Sequence, residues 1–467
     1  MTTALLLGRF HAVTRSQSDW LASLAAAPVE RLVCVITSAN HANTRRNPLE
    51  VELREQMLRP ALERSGKPFV VVRVVDVPDS ATWVEWVLDE VKRQAGLSLS
   101  AQDTAVYSAN RDVDALFAAK GFRVVAPEVK GLTPHELVQR VVDGKDWEDE
   151  ASPETQVVFG RGAVQTRLRD IFRQTLLNDD GELGHLRDFL SYGAMMDASL
   201  VQKLEDFLPW VKPGCIADKG CGTGKLLVEL SRLFPQSQLV GVDLSREFLR
   251  VCDENTYATD DVTLVFGNII ERNVPPASAT TVVFSSVMHE VHSYSGYDVT
   301  KIDHALASAF AELAPGGRVL IRDGVSPPPA TWRLRLLTPQ VQETFERFAR
   351  EFRQGKGVSY ERLSPELVRL SAHDANEFLC KKDYLKNWHI EVHEEFGPLT
   401  LDGWRDALVR AGFAPVHLHA YANEWIVAHR YQGTVEVLDD AGARLPWPAT
   451  NLVVVGEKPD GLTRRRE

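Results

Sequence analysis

Two doubly wound α/β domains in tandem, the second carrying an inserted helical segment, are the fold that the sequence predicts. Three observations predict it. Short apolar runs alternate with amphipathic stretches over residues 3–127, the same alternation restarts at Cys215, and the second series opens into a glycine turn, Asp218-Lys-Gly-Cys-Gly-Thr-Gly224. Strands that alternate with helices imply parallel sheets. At 467 residues the chain is long enough for two or three cores, and 44% hydrophobic with 25% charged residues is ordinary globular composition.

In the first domain, residues 1–150, strands are expected at 4–7, 32–38, 69–74, 104–108 and 123–126, with helices at 18–27, 49–64, 82–95 and 112–120. The acidic, proline-terminated run 146–153 reads as a boundary. Residues 151–210 are expected to hold linker and covering helices, at 162–177 and 183–207, and 211–467 the second domain. There a strand at 215–217 leads through the glycine turn into a helix at 226–233 and a strand at 238–242, which ends at Asp243. Further strands are expected at 262–266, 281–285, 415–421 and 451–457, with a turn and strand within 314–323 and a hairpin at 433–444.

Glycines are needed in the turn because a side chain would hold a ligand away from the backbone, and the Asp243 carboxylate can accept both hydroxyls of a ribose. Strand, glycine turn, helix, strand, acid is a nucleotide-binding unit that alone could hold NAD, FAD or S-adenosylmethionine. Three details select the last. The spacing is Asp-x-Gly-x-Gly-x-Gly, the leading Asp218 is placed for the ammonium of a methionine moiety, and no phosphate-cradling helix start follows directly. The expected cofactor residues are Asp218, Gly220, Gly222, Gly224, Asp243 and Asn268, the last offering an amide at the adenine edge.

With these motifs in order, and with Ser286-Val-Met-His-Glu-Val-His-Ser-Tyr294 and Ala314-Pro-Gly-Gly-Arg-Val-Leu-Ile-Arg-Asp323 behind them, residues 185–458 resemble the class I S-adenosylmethionine-dependent methyltransferases. The resemblance implies S-adenosylhomocysteine as a product, no metal, and a post-strand loop at 286–294 that faces the methyl group. It has two departures: Lys219 stands where a small or apolar residue is common, and Asn268 where aspartate is usual.

Gly8-Arg-Phe10 and Ser38-Ala-Asn-His-Ala-Asn-Thr-Arg-Arg-Asn-Pro48 resemble the nicotinamide-nucleotide adenylyltransferases, which implies a nucleotidyltransferase-like, Rossmann-type first domain. In that family the first motif continues into His-x-Gly-His, whose imidazoles stabilise the triphosphate. Here Thr14, Arg15, Ser16 and Gln17 stand there, and His11 is out of frame. Phosphoryl-type transfer rests on placed positive charge, so the expectation is a domain without that catalysis, kept for packing, dimerisation or a retained nucleotide pocket.

Methyl transfer needs the nucleophile aligned with the carbon–sulfur bond and an unprotonated lone pair. Glu290 is the expected catalytic carboxylate for a cationic nitrogen, and His289 the alternative, a base for a hydroxyl. Tyr192, His292, Glu394 and Glu395 are candidate substrate contacts, with the two glutamates as a second acidic wall. The insertion at 326–400 holds an amphipathic helix with Val341, Phe345, Phe348 and Phe352 on one face. That face must bury somewhere, which makes a homodimer an expectation.

Three functions follow. The first is N-methylation of a small amino or guanidino compound, as in the free-arginine N-methyltransferases of specialised metabolism such as the streptozotocin pathway. The others are O-methylation with a histidine base, and non-catalytic nucleotide sensing. Net charge −11 speaks against nucleic acid as a partner. Five scattered cysteines, no apolar span and no signal-like amino terminus lead to the expectation of a cytoplasmic protein with a small-molecule substrate and no membrane contact.

Overall fold

The computed structural model describes residues 2–76, 82–174, 176–182 and 200–460. The chain divides into two units, one of Met1–Gly184 with the short segments Leu244–Arg246 and Val265–Asn273, the other of the remainder.

The first unit is built on five strands, β1 (Thr3–Gly8), β2 (Arg31–Ile36), β3 (Phe69–Arg73), β4 (Thr104–Tyr107) and β5 (Arg123–Val125), in the order β3-β2-β1-β4-β5. Every pairing is parallel. Along β1 the side chains alternate between two cores. Ala4 and Leu6 pack with Leu58, Leu137 and Phe159 on one face, and Leu5 and Leu7 with Val87, Val91 and Phe117 on the other. Burial on both faces explains why residues 4–7 of β1 are uninterruptedly apolar. Part of the expected 151–210 linker groups with the first unit. Helices Pro153–Phe159 and Gly162–Arg173 give Val158, Phe159, Val164 and Leu168 to the first unit's own core, and only Leu200–Phe207 belongs to the second.

In the second unit β6 (Cys215–Lys219), β7 (Gln238–Asp243), β8 (Val262–Phe266), β9 (Ala279–Ser285) and β10 (Leu313–Asp323) join two late strands, β14 (Ala414–Tyr421) and β16 (Asn451–Glu457). The order is β14-β16-β10-β9-β6-β7-β8. β16 is antiparallel to both its neighbours. Lys219 has a structural reason: its ammonium lies 2.8 Å from Glu312 Oε2, with both side chains wholly buried.

The insertion differs from the expected helical segment. It carries β11 (Thr331–Leu336), β12 (Tyr360–Ser364) and β13 (Leu367–Ser371), which with β15 (Val435–Leu438) form an antiparallel sheet ordered β12-β13-β11-β15. The predicted hairpin at 433–444 is present, closed by the antiparallel Leu438–Arg444 bridge and the Asp439 N–H bond to Ala443 O, and its first strand, β15, is also recruited to this sheet. Helix Pro339–Gly355, whose backbone leaves helical values at Phe352–Gln354, lays Val341, Phe345, Phe348 and Phe352 against Leu334, Val368, Phe378 and Val437. The face that motivated a homodimer is thus filled by the chain itself. Among the described residues no helix is long and apolar enough to cross a membrane.

Candidate functional site

The chain leaves β6 toward β7 and β8 on one side of the sheet and returns with β9 on the other. Ligands in open α/β sheets bind outside the carboxyl ends of strands at such a reversal. Here lies the glycine turn. Gly220 and Cys221 donate their backbone N–H groups to Val242 O at 2.7 and 3.0 Å, which ties the turn to β7. Gly220 and Gly224 have φ of +85° and +77°, and a Cβ would stand 2.8 Å from Val287 Cγ2 at the first and 2.7 Å from Cys252 Sγ at the second. Gly222 N–H donates to Asp243 Oδ2 at 2.9 Å, leaving Asp243 fixed at the end of β7. Cys221 is buried with its sulfur 3.9 Å from that of Cys252, a packing position.

Asp218 is buried, and its Oδ1 has no hydrogen-bond partner. Burial pushes the carboxyl up to about 7, with Lys203 pulling it down and Asp243 adding to the rise. A buried carboxylate with one oxygen unpaired, beside a turn that admits no side chain, fits a ligand bearing an ammonium, as S-adenosylmethionine does. Asn268 lies in the segment that groups with the first unit. Its Nδ2 donates to Ala42 O at 2.8 Å and its Oδ1 accepts Ile270 N–H at 3.1 Å, so both ends of the amide hold backbone.

Beyond β9, the helix Met288–Tyr294 starts against Asp323, the last residue of β10. Asp323 Oδ2 accepts the N–H groups of Met288 and His289 at 2.8 and 3.1 Å, while Oδ1 accepts Gly324 N–H at 2.8 Å and lies 2.6 Å from His289 Nδ1. His289 Nε2 faces Glu394 Oε2 at 3.6 Å. Burial acts to lower the His289 pKa, yet Asp323 and Glu394 together hold it well above the usual histidine range. Glu394 is buried and accepts the Tyr294 hydroxyl at 2.6 Å. Donor atoms of His289, Glu290 and Glu394 all lie within 4.8 Å of one another, so the trio could also take a divalent cation.

What carries Glu394 to this place is the neck of the insertion. Ser326 N–H donates to Leu399 O at 2.9 Å, so the outgoing and returning strands run side by side. Phe396 and Gly397 N–H groups bind Glu377 at 2.9 and 2.7 Å, and the Lys381 ammonium, paired with Glu377, sits 3.7 Å from the Phe396 ring centre.

His289, Glu290 and Glu394 line one cleft of about 1190 Å³. His292 and Glu395 do not line it, which corrects the expectation of a second wall made by both glutamates. Glu395 accepts Arg353 Nε at 2.9 Å and sits 2.7 and 3.7 Å from the Nε2 atoms of His373 and His292. Although burial opposes it, these partners hold the Glu395 carboxyl well below the usual carboxylate range. It is a clasp between the insertion and the Met288–Tyr294 helix. Tyr192 lies outside the described residues. Sequence reading missed Asp323, Asp206, Arg322, Tyr384, Phe396, Tyr421, Trp425 and Arg430, all cleft-lining residues. An acid at the end of the strand beside β9 could have pointed to Asp323. The others converge from four distant segments with no local signature.

In the first unit, the positions of the lost histidines are occupied by a capping box. Thr14 Oγ1 accepts Gln17 N–H at 3.2 Å and Gln17 Oε1 accepts Thr14 N–H at 3.1 Å, which starts the helix Arg15–Ser23. Nearby, the buried Arg54 guanidinium donates to the carbonyls of Arg9, Thr37, Ser38 and His41 at 2.9–3.3 Å, binding the loops after β1 and β2 together.

Residues 217–319 match the methyltransferase domain family. Over 125 residues the chain is 31% identical to a malonyl-[acyl-carrier protein] O-methyltransferase of Halalkalibacterium halodurans, covering 26% of this chain and 46% of that one. The chain therefore spans less than half of that relative. It is 31% identical over 137 residues to a nicotinamide-nucleotide adenylyltransferase of Halorubrum lacusprofundi, covering 28% of this chain and 71% of the relative. A solved S-adenosylmethionine-dependent methyltransferase of Mesorhizobium loti superposes with TM-score 0.33 and 17% identity over 55% of this chain and 96% of its own.

Proposed function

We propose that this S-adenosylmethionine-dependent methyltransferase, whose amino-terminal segment belongs to the nicotinamide-nucleotide adenylyltransferase family, N-methylates a small cationic amino or guanidino compound such as free arginine. The observation that carries the reading is the charge of the cleft. Asp206, Glu205, Glu290, Asp323, Glu391, Glu394 and Glu424 line it against the cations Lys203, Arg322 and Arg430, and Tyr384, Phe396, Tyr421 and Trp425 add aromatic faces. Carboxylates and ring faces together suit a desolvated nitrogen cation.

Bound S-adenosylmethionine supplies an activated methyl group on sulfur. Glu290 accepts hydrogen bonds from the substrate nitrogen, orients its lone pair and takes the proton released as the nitrogen becomes a nucleophile. Glu394, oriented by Tyr294, supports the opposite side of the same group. His289 is held as a cation by Asp323 and Glu394, so it positions Glu394 and is poorly suited to remove a proton. This is what weighs against O-methylation with a histidine base. The amino-terminal unit, with Thr14 and Gln17 in a cap and Arg54 spent on carbonyls, serves a structural or binding role without adenylyl transfer.

Incubation with S-adenosylmethionine and a panel of guanidines, amines, phenols and carboxylates tests the assignment. Methylated guanidine or amine is the expected product, lost by about a hundredfold or more in Glu290→Gln. Turnover confined to phenols or carboxylates, or an intact rate in Glu290→Gln, would sink it.

A further inference from the structure

Besides His289, three cations among the described residues line the cleft, Arg322, Lys203 and Arg430, and the first two are already committed. Arg322 Nε is bound to Asp206 Oδ2 at 2.6 Å, and that oxygen also accepts the Tyr421 hydroxyl at 2.7 Å. Lys203 is buried and acts electrostatically on Asp218. Arg430 differs. Among the described residues no carboxylate pairs with its guanidinium, which lies 5.0 Å from the ring centre of Tyr384 and 5.7 Å from that of Trp425. Asp383, whose charge acts on Arg430 from a distance, is itself paired with Lys382 at 2.8 Å, and the Arg430 guanidinium bonds the Tyr384 side chain.

The backbone beneath Arg430 is fixed. Its carbonyl accepts the Lys382 ammonium and the Thr434 hydroxyl, within the π-helical turn Val427–Tyr431. A half-buried guanidinium laid on ring faces presents a rigid fork of donors, and that fork matches a carboxylate in two parallel hydrogen bonds. The wall joining it to the acidic end is continuous. His289 contacts Phe396 at 5.1 Å between ring centres, Phe396 contacts Tyr384 at 6.0 Å, and Tyr384 carries Arg430.

We infer that Arg430 is the carboxylate subsite of the cleft, so that the substrate is an amino acid held at both ends, its side-chain nitrogen by Glu290 and Glu394 and its carboxylate by Arg430. The methylenes between run along Phe396 and Tyr384. This rests on the reading of the acidic end as a site for a cationic nitrogen, and it adds a discrimination which that reading lacks: decarboxylated or amidated analogues are rejected.

The test is calorimetric binding to the full chain saturated with S-adenosylhomocysteine, using L-arginine, agmatine and valerate as probes. Wild-type protein is expected to bind arginine about tenfold to a hundredfold more tightly than agmatine. In Arg430→Gln the gap should close, chiefly by loss of arginine affinity, and Arg430→Lys should restore part of it. Equal binding of arginine and agmatine by the wild type overturns the subsite but leaves the cationic site standing, as does a gap that survives Arg430→Gln. Valerate bound by the wild type and lost in Arg430→Gln, with neither guanidine bound, keeps the subsite and overturns the cationic reading. Failure of all three probes to bind overturns the subsite.

Discussion

Acidification from pH 8 to pH 6 is expected to weaken binding of S-adenosylhomocysteine by about tenfold, with Asp218 as the group responsible. In the free protein burial pushes this carboxyl up from 3.8 to about 7, Lys203 opposing and Asp243 reinforcing the rise. Such a shift disfavours the ionised form by about 4 kcal/mol, which the ammonium of the ligand offsets on arrival. Below the raised pKa the carboxyl must first lose its proton, so affinity falls with each unit of acidification and levels off above pH 7. The stability of the free protein runs the other way. Because the folded pKa exceeds the unfolded one, this group's contribution is present in acid and lost as pH rises toward 7. Titrations at pH 6, 7 and 8 in two buffers of different ionisation heat should show close to one proton released per ligand at pH 6 and almost none at pH 8. Asp218→Asn should bind more weakly and lose the pH dependence. A flat wild-type affinity over this range, or a wild-type profile in Asp218→Asn, would refute the reasoning.

Two further outcomes follow from the same region. Lys219→Met leaves the Glu312 carboxylate buried without its partner and should cost about 3–5 kcal/mol in urea unfolding. Lys219→Met combined with Glu312→Leu should recover most of that, less about 1 kcal/mol for the hydrogen bond that Val274 N–H gives Glu312. Gly224→Ala sets a Cβ 2.7 Å from Cys252 Sγ at φ +77°, and should weaken S-adenosylhomocysteine binding. Adding Cys252→Ala relieves the clash but not the backbone strain, so titration should find only partial recovery.

The glycine turn and Asp243 were legible because their chemistry is local: the spacing of small residues and the acid at a strand end carry it within one βαβ unit. β8 and β16 were equally plain, since each is a short, bounded, apolar run. Glu290 and His289 could be named from their place after β9, but the separation of Glu394 from Glu395 could not. They are neighbours in sequence, and only the Ser326–Leu399 neck and the Arg353 clasp send one into the cleft and the other away from it. Strands β11, β12 and β13 were missed for a related reason. Their Arg and Glu residues, such as Arg333, Arg335, Glu361, Arg362 and Arg369, break the apolar run that marks a buried strand, because one face of that sheet carries ion pairs such as Arg335–Glu436 and Arg369–Asp440. Phe345 and Phe348 signalled an apolar face but not its occupant.

The small sheet draws three strands from before β14 and its fourth, β15, from after it. A recombination event that moved residues 326–400 into a relative would carry Arg335 without Glu436 and β11 without one of its two neighbours. Arg430, on the turn that leads into β15, would stay behind as well. New substrate preferences in this architecture must therefore arise by point substitution inside the cleft, or by exchange of both segments at once, because a single crossover splits the pocket from the scaffold that holds it.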